Sequence, residues 1–141
     1  VVERFGRYEV IKAAEQRCEE YLCADADYVV AAFGASSRIA KAAVDTLRAQ
    51  GVRVGLLRPI TLWPFPVAAI RARAATVKAF LTVEMSMGQM VDDVRLAVDG
   101  AVPVEFFGRT GGVVPKPAEI AAKIREMAGV PAKAAVAGGV R

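Results

Sequence analysis

Histidine is absent from this 141-residue sequence, and cysteine and tryptophan are scarce. Histidine is the commonest general base, the usual partner of a serine or cysteine nucleophile and a frequent zinc ligand, so its absence argues against a free-standing hydrolase or a zinc enzyme. The two cysteines, Cys18 and Cys23, match neither a zinc ribbon nor an iron–sulfur motif, and we interpret them as packing residues. We therefore predict no metal site and no catalytic residue on this chain.

Long apolar runs and basic clusters are also missing. No apolar stretch reaches the roughly 18 residues of a transmembrane helix, and no signal-peptide pattern opens the chain, so we expect no membrane contact and a cytoplasmic location. The net charge of +4 comes from 19 basic and 15 acidic residues without a basic, aromatic-rich cluster, which argues against nucleic-acid binding. The first residue is Val, not Met, and we expect the chain to be a piece of a longer protein.

Apolar runs and amphipathic segments alternate along the chain. Hydrophobic residues make up 55% of the sequence, which is enough for the core of a single domain. Four short, nearly continuous apolar runs are typical of strands buried on both faces, and the segments around them have the spacing of amphipathic helices. This alternation predicts an α/β fold, a small three-layer sandwich with a mainly parallel sheet. The four runs are residues 27–33, 52–57, 78–83 and 102–107.

Local signals set three further boundaries. Apolar residues at helical spacing predict an amphipathic helix over residues 8–22. The segment 58–66 contains three prolines, which exclude regular strand pairing and indicate a structured loop. We expect one domain over residues 1–130 and a loose tail over 131–141, because the tail has nothing to bury.

The loops that follow the predicted strands carry most of the polar and aromatic side chains of interest. In a parallel sheet these loops meet at the carboxyl edge, where α/β proteins bind their ligands. We therefore predict one recognition surface that faces either a partner or a ligand. Its members are Ser36, Ser37, Arg58, Trp63, Glu84, Met85, Gln89, Arg109, Thr110, Gly111 and Gly112.

Glu84 directly follows the apolar run 78–83, a common position for a catalytic carboxylate. A general base needs a group that tunes or uses it, and this chain offers no histidine, metal-ligand cluster or second carboxylate at a matching strand end. The alternative is a structural carboxylate that either pairs with Arg58 or Arg109 or accepts hydrogen bonds from backbone amides near Gly88. We favour the structural role.

The other members of the surface each have two interpretations. Ser36 and Ser37 precede a predicted helix and either cap it or contact a phosphate through exposed backbone amides. Arg109 lies in a glycine-rich segment that either grips an anion or forms a turn needing positive φ. Trp63 is either an interface anchor or a packed hinge residue, and Met85 either contacts another protein or belongs to the core.

Four stretches together resemble a known family. They are VVAAFGASSRIAKAAVD, GLLRPITLWPFP, VEMSMGQMVDDVRLAV and FFGRTGGVVPKPAEI. Over Tyr8 to Ile124 the chain resembles the carboxyl-terminal region of the α subunit of 2-oxoacid:ferredoxin oxidoreductases, most of all the 2-oxoisovalerate and 2-oxoglutarate branch. The resemblance implies domain II of that subunit, with a fold like the carboxyl-terminal domain of transketolase.

The resemblance also implies a place in a larger enzyme. Such enzymes use thiamine diphosphate, Mg²⁺ and iron–sulfur clusters to decarboxylate a 2-oxo acid such as pyruvate or 2-ketoisovalerate, forming an acyl-CoA and reducing ferredoxin. In the family the thiamine site is built by other domains, which implies no cofactor on this chain and an inactive chain in isolation. The implied partners are other domains and subunits of the oxidoreductase, with ferredoxin and coenzyme A acting through the complex.

Two other hypotheses come from different functional classes. The chain is alternatively a free-standing α/β domain that binds a small anionic ligand through Arg58 and Arg109. A complete small enzyme is disfavoured by the missing histidine and cofactor motifs. We prefer the interpretation as an assembly and docking domain. Such a domain exposes Trp63 and the methionines when it is isolated, so we expect the fragment to associate as a homodimer.

Overall fold

One five-stranded sheet organises residues 1–131, the part of the chain that the computed structural model describes. The order of its strands is β1-β3-β2-β4-β5, and β1 is antiparallel to its neighbour whereas the other four are mutually parallel. The predicted α/β class with a mainly parallel sheet is thus confirmed. The strands are β1 (Cys18–Tyr21), β2 (Tyr28–Ala31), β3 (Val54–Pro59), β4 (Ala79–Glu84) and β5 (Val104–Gly108).

Helices cover both faces of the sheet. They are α1 (Val2–Ala14), α2 (Gly34–Ala49), α3 (Val67–Ala74), α4 (Met90–Val98) and α5 (Pro117–Ala128). α3 and α4 build one core layer and α2 and α5 the other, whereas α1 contributes no buried residue to either. The predicted domain boundary at residue 130 stays a prediction, since residues 132–141 of the predicted tail lie outside the described residues.

Side chains of β4 alternate between the two core layers, as the pleat of a strand requires. Phe80 belongs to the cluster that contains Ile70 of α3 and Val94 of α4. Leu81 belongs to the opposite cluster, with Leu47 of α2 and Ile124 of α5. A strand with apolar groups on both faces reads as a continuous apolar run, which is why the central strands were predictable.

The chain reverses its direction of travel across the sheet between β3 and β4. The crossover through α2 carries it from β2 outward to β3, and the crossover through α3 brings it back to β4 on the other side of β2. β2 and β4 are therefore neighbours whose following helices, α2 and α4, cover opposite faces. Such a switch point leaves a crevice at the carboxyl ends of the two strands.

The predicted helix over residues 8–22 is wrong in its second half. α1 ends at Ala14, and Cys18–Tyr21 forms the antiparallel edge strand β1 on β3. Apolar Cys18 and Tyr21 are three residues apart, a spacing that mimics a helix, but in the strand they pack against different core layers. Leu22 then ends the strand with a φ of 54°, a conformation that neither helix nor strand continues.

The proline-rich loop begins later than predicted, because Arg58 and Pro59 belong to β3 and pair with Glu19 and Cys18. β2 pairs with residues 54–57 of β3 and no further. Residues 58 and 59 of β3 therefore pair with β1 on one side and have no partner strand on the other. A proline, which has no N–H to donate, is tolerated at such a local edge.

An ion pair ties the edge strand β1 to α3. Arg73 donates from Nε to Oε1 of Glu20 at 2.7 Å and from Nη2 to Oε2 at 2.9 Å, a bidentate geometry. Both side chains are about one-quarter to one-third exposed. The hydrogen bonds from Arg73 lower the pKa of Glu20 against the opposing effect of burial.

We expect Glu20→Gln to lower the stability of the chain at pH 7 and to have no effect at acid pH. Because the folded-state pKa of Glu20 lies below its ordinary value of 4.5, the ionised pair stabilises the fold above that pH and the contribution disappears as the pH falls through the folded-state value. Urea unfolding of both proteins between pH 7 and pH 3 measures this as a difference in midpoint that shrinks with acid. A difference that is constant across this range would contradict it.

Candidate functional site

A cavity of about 420 Å³ lies in the crevice at the switch point. It combines the amino-terminal turn of α2, the loop before α3 and the segment between β4 and α4. The cavity thus brings together three of the four predicted loops, although through few of the predicted residues. Residues that line it include Ser36, Leu62, Glu84, Met85, Gln89 and Asp93.

Glu84 is the last residue of β4, and its carboxylate caps the amino terminus of α4. It is 2% exposed and accepts hydrogen bonds from the amides of Gln89 at 3.1 Å, Met90 at 2.8 Å and Val91 at 3.0 Å. The hydroxyl of Ser86 donates to it at 3.2 Å. These donors occupy both carboxylate oxygens, and the positive end of the helix dipole stabilises the negative charge.

Of the two predicted structural arrangements, Glu84 adopts the one with backbone amides near Gly88, and the alternative ion pair with Arg58 or Arg109 does not form. Arg58 donates to Glu19 at 2.7 Å and Arg109 donates to Glu119 at 2.7 Å. Both arginines thus pair with carboxylates on neighbouring elements. The negative charge of Glu84 is stabilised instead by the backbone amides at the start of α4. That Glu84 has no part in catalysis stays a prediction.

Neither predicted serine caps α2. The helix begins at Gly34 with Phe33 as its N-cap, and no side chain caps it. Ser36 and Ser37 lie inside the first turn and are buried, and the Ser37 hydroxyl donates to the carbonyl of Gly34 at 2.6 Å. Gly34 has a φ of 57°, and the helix begins three residues earlier than an N-cap at Ser36 requires.

The glycine-rich loop after β5 stays apart from the cavity. Arg109 lies 4.9 Å from the centre of the Phe107 ring and pairs with Glu119, whose pKa is lowered by the hydrogen bond from Arg109. Gly111 and Gly112 have φ values of 69° and 77°, which a turn explains. Thr110 is exposed on the same loop, so these predicted residues form a separate patch.

Exposed apolar side chains lie on the two loops that contribute Leu62 and Met85 to the cavity. Leu62, Trp63 and Met87 are 49%, 57% and 83% exposed, and Met85 is 46% exposed. Trp63 also contacts Tyr8 of α1 edge to face, with 5.9 Å between the ring centres. Large apolar groups are normally scattered on a surface, so several of them on adjoining loops indicate a contact surface.

Sequence reasoning missed Phe33, Leu62 and Asp93, all of which line the cavity. Burial raises the pKa of Asp93, and the nearby carboxylates Asp92 and Glu84 add to the rise. Two acidic residues in the first turn of a helix ordinarily interact with the positive end of the helix dipole, so no signal in the sequence distinguishes Asp93.

Within residues 1–131, no group of three His, Cys, Asp or Glu side chains could hold a metal ion. None of the described helices is long and apolar enough to cross a membrane.

Comparison with known proteins gives concordant matches over most of the chain. The family model described as pyruvate:ferredoxin oxidoreductase core domain II matches residues 26–120. The ketoisovalerate oxidoreductase subunit VorB of Methanothermobacter marburgensis is 50% identical over 123 residues, which are 87% of this chain and 35% of that protein. The 2-oxoglutarate synthase subunit KorA of the same organism is 41% identical over 73% of this chain and 28% of its own length. The chain thus spans about a third of the length of these curated relatives.

Two solved structures have similar folds. The 2-oxoglutarate:ferredoxin oxidoreductase from Magnetococcus marinus, determined with 2-oxoglutarate, coenzyme A and succinyl-CoA bound, matches with a TM-score of 0.76 and 25% identity over 87% of this chain and 22% of that chain. A split-gene transketolase in an inactive β4 tetramer matches with a TM-score of 0.66 and 18% identity over 78% of this chain and 40% of that chain. The second match concerns the fold alone, and it confirms the predicted transketolase-like architecture.

Proposed function

Because the chain belongs to the pyruvate:ferredoxin oxidoreductase core domain II family, we propose that it serves as domain II of the α subunit of a 2-oxoacid:ferredoxin oxidoreductase. The enzyme would decarboxylate a 2-oxo acid oxidatively, form the acyl-CoA and reduce ferredoxin. Identity is 50% to the ketoisovalerate relative and 41% to the 2-oxoglutarate relative, which favours a branched-chain 2-oxo acid as the substrate.

Within that enzyme we assign this domain to docking and alignment of the catalytic domains. The residues described do not fit the cofactors of the reaction. Cys18 and Cys23 are too few for a four-cysteine cluster, and burial raises the pKa of Cys23 to about 11, which disfavours the thiolate that binds metal. The cavity is lined by the carboxyl groups of Glu84 and Asp93, with no Lys or Arg among its lining residues, a poor environment for a diphosphate.

The observation that carries the docking proposal is the group of exposed apolar side chains on two adjoining loops. Leu62 and Trp63 come from the loop before α3, and Met85 and Met87 from the loop before α4. Tryptophan and methionine are enriched in protein interfaces, where one rigid and one adaptable group fill a partner's pockets. Other domains and subunits of the complex are the proposed partners, and ferredoxin and coenzyme A would act through them.

Substitution at this surface tests the proposal in the complete oxidoreductase. We expect the double variant Trp63→Ser, Met87→Ser to weaken subunit assembly about tenfold or more, as loss of interface anchors does, and to lower turnover in proportion to the unassembled fraction. Leu96→Ser is the matched control, because Leu96 is 75% exposed on α4 away from these loops. Sedimentation velocity measures assembly. Equal assembly of the double variant and the control would contradict the docking role.

The alternative hypothesis of an anionic-ligand site at Arg58 and Arg109 lacks support from the geometry. Arg58 lies near the end of β3 and Arg109 follows β5, with β2 and β4 between those strands. Each arginine is already paired with a carboxylate. A single small anion therefore cannot reach both.

A further inference from the structure

A second, smaller cavity is lined by α2 and by the end of β3. Its volume is about 130 Å³. Three of its lining residues are cations, Arg38 and Lys41 from α2 and Arg58 from β3, and one is an anion, Glu19 of β1. We call Arg38, Lys41 and Arg58 the basic cluster. With three cations against one carboxylate, this part of the surface has an excess of positive charge.

Two members of the basic cluster lack a carboxylate partner. Arg38 and Lys41 form no ion pair within residues 1–131, whereas Arg48 of the same helix pairs with Asp25 at 2.8 Å. Arg38 and Lys41 are both exposed and lie three residues apart, a spacing at which like charges on a helix repel each other. In the described part of the chain, no direct contact with a carboxylate offsets these two charges.

Neighbouring side chains hold the other donors in place. The ammonium group of Lys41 lies 4.7 Å from the centre of the Tyr21 ring, a cation–π contact. The Tyr21 hydroxyl donates to Asp45 of α2 at 2.7 Å. Arg58 donates to Glu19 at 2.7 Å through Nη2, and its Nε and Nη1 groups donate to no residue from 1 to 131. An arginine has five N–H donors, so most of those of Arg58 are available to a partner.

The basic cluster is continuous along the chain with the exposed apolar loop before α3. Ile60 follows Arg58 by two residues and is 54% exposed, and Leu62 follows Ile60. Leu62 and Ser36 line the larger cavity, and the adjacent residue Ser37 lines the smaller one. Protein interfaces have an apolar centre and a polar rim, and charges in the rim steer a partner of opposite charge. The basic cluster has the position of such a rim beside the proposed docking surface.

We propose that the basic cluster binds an acidic segment, rich in Asp and Glu, on a neighbouring subunit of the oxidoreductase. Carboxylates of that segment accept hydrogen bonds from Arg38 and Arg58 and pair with Lys41, while the apolar loops contact the same subunit. The inference rests on the proposed docking function and adds the charge of the partner. A free phosphate ion is disfavoured, because exposed cations hold a small ion weakly against water and salt. A subunit that is also held by the apolar loops presents its carboxylates at a high effective concentration.

The rate at which the separated subunits form the complete oxidoreductase tests the inference, with the full α subunit and light scattering as the readout. At about 20 mM NaCl we expect the double variant Arg38→Gln, Lys41→Gln to associate about tenfold more slowly than the unaltered protein. At about 300 mM NaCl the difference should shrink to about twofold or less, since salt screens the steering. The circular dichroism spectrum should be unchanged.

Arg53→Gln, Lys78→Gln is the matched control, because it removes the same charge from the opposite edge of the sheet. Both residues precede strands, and their side chains are 59% and 66% exposed. The control should associate within about twofold of the unaltered protein at either salt concentration. Equal slowing of the two double variants would mean that net charge and not this cluster matters, and it would overturn the inference.

The outcomes separate this inference from the docking role and from other occupants. If Trp63→Ser, Met87→Ser weakens assembly but Arg38→Gln, Lys41→Gln leaves the association rate unchanged, the acidic partner is refuted and the docking role stands. If neither variant has an effect, both proposals fail. Slower ferredoxin reduction with unchanged subunit association would assign the cluster to ferredoxin and overturn the inference. Saturable binding of inorganic phosphate to the 141-residue chain, lost in Arg38→Gln, Lys41→Gln, with unchanged association would likewise overturn it.

Discussion

Replacing Glu84 with alanine is expected to lower the free energy of unfolding of the chain by about 3 kcal/mol. The substitution removes the acceptor of three backbone amides, those of Gln89, Met90 and Val91, and of the Ser86 hydroxyl. Met90 and Val91 are themselves buried, so water cannot readily replace the lost carboxylate. No other side chain caps α4, and the favourable charge at the positive end of its dipole disappears as well.

Urea unfolding of a small series measures this effect. Glu84→Gln keeps the size and one acceptor oxygen but turns an NH₂ group toward other donors, so we expect an intermediate loss. Glu126→Ala is the matched control, because Glu126 is a mostly exposed carboxylate on α5 and its removal should cost less than about 0.5 kcal/mol. A loss at Glu84→Ala as small as that of the control would contradict the capping role.

The same variant distinguishes structure from chemistry in the assembled oxidoreductase. If Glu84 acts through the fold, activity should fall together with folding and assembly. If Glu84→Ala instead abolished turnover while assembly and thiamine diphosphate binding stayed intact, the carboxylate would act on the reaction itself. The occupied oxygens of Glu84 lead us to expect the first result.

The centre of the sheet could be predicted from the sequence because the three strands β3, β2 and β4 are buried on both faces. Residues such as Phe80 and Leu81 enter different core layers and still leave a continuous apolar run. β1 has one apolar residue at each end and glutamates between them, which carries no such run. Its identity as a strand depends on pairing with β3, a contact between segments far apart in the chain.

The family was also predictable, because motifs carry it residue by residue, and the comparisons confirm it. The ion pairs could not be predicted from the sequence. The partner of Arg58 is Glu19, which lies opposite it in the unpredicted pairing of β1 with β3. The cavity depends likewise on how Leu62 and Asp93, residues without a distinctive motif, meet at the switch point. Side-chain partners of this kind follow from packing between elements and not from local pattern.

Gly108→Ala is expected to destabilise the chain by about 2–3 kcal/mol through steric overlap. A Cβ atom at Gly108 would lie 2.5 Å from the backbone oxygen of Ser86 and would overlap the ring of Phe106. The ring can move, but the Ser86 carbonyl belongs to the backbone that leads from β4 to α4. The φ of Gly108 is not in the left-handed region, so the cost comes from this contact and not from backbone strain.

Gly6→Ala is the matched control, since a Cβ atom at Gly6 meets nothing within 4 Å and Gly6 also has no positive φ. Inside α1 it should be neutral or stabilising by up to about 1 kcal/mol. Urea unfolding measures both variants. If the Gly108→Ala protein were as stable as the Gly6→Ala protein, the loop between β4 and α4 would be able to move away from the added methyl group without a loss of folding free energy.

The two substitutions at this loop should not be additive. Gly108 pairs with Glu84 in the ladder between β4 and β5, and the amide of Arg109 donates to the carbonyl of Glu84 at 3.1 Å. A methyl group at Gly108 pushes the loop that positions the Glu84 carboxylate under α4, so Gly108→Ala already weakens the capping that Glu84→Ala removes. We expect the double variant to lose about 1 kcal/mol less than the sum of the single losses. Strict additivity in a double-mutant cycle would mean that the steric contact and the cap stabilise the fold independently.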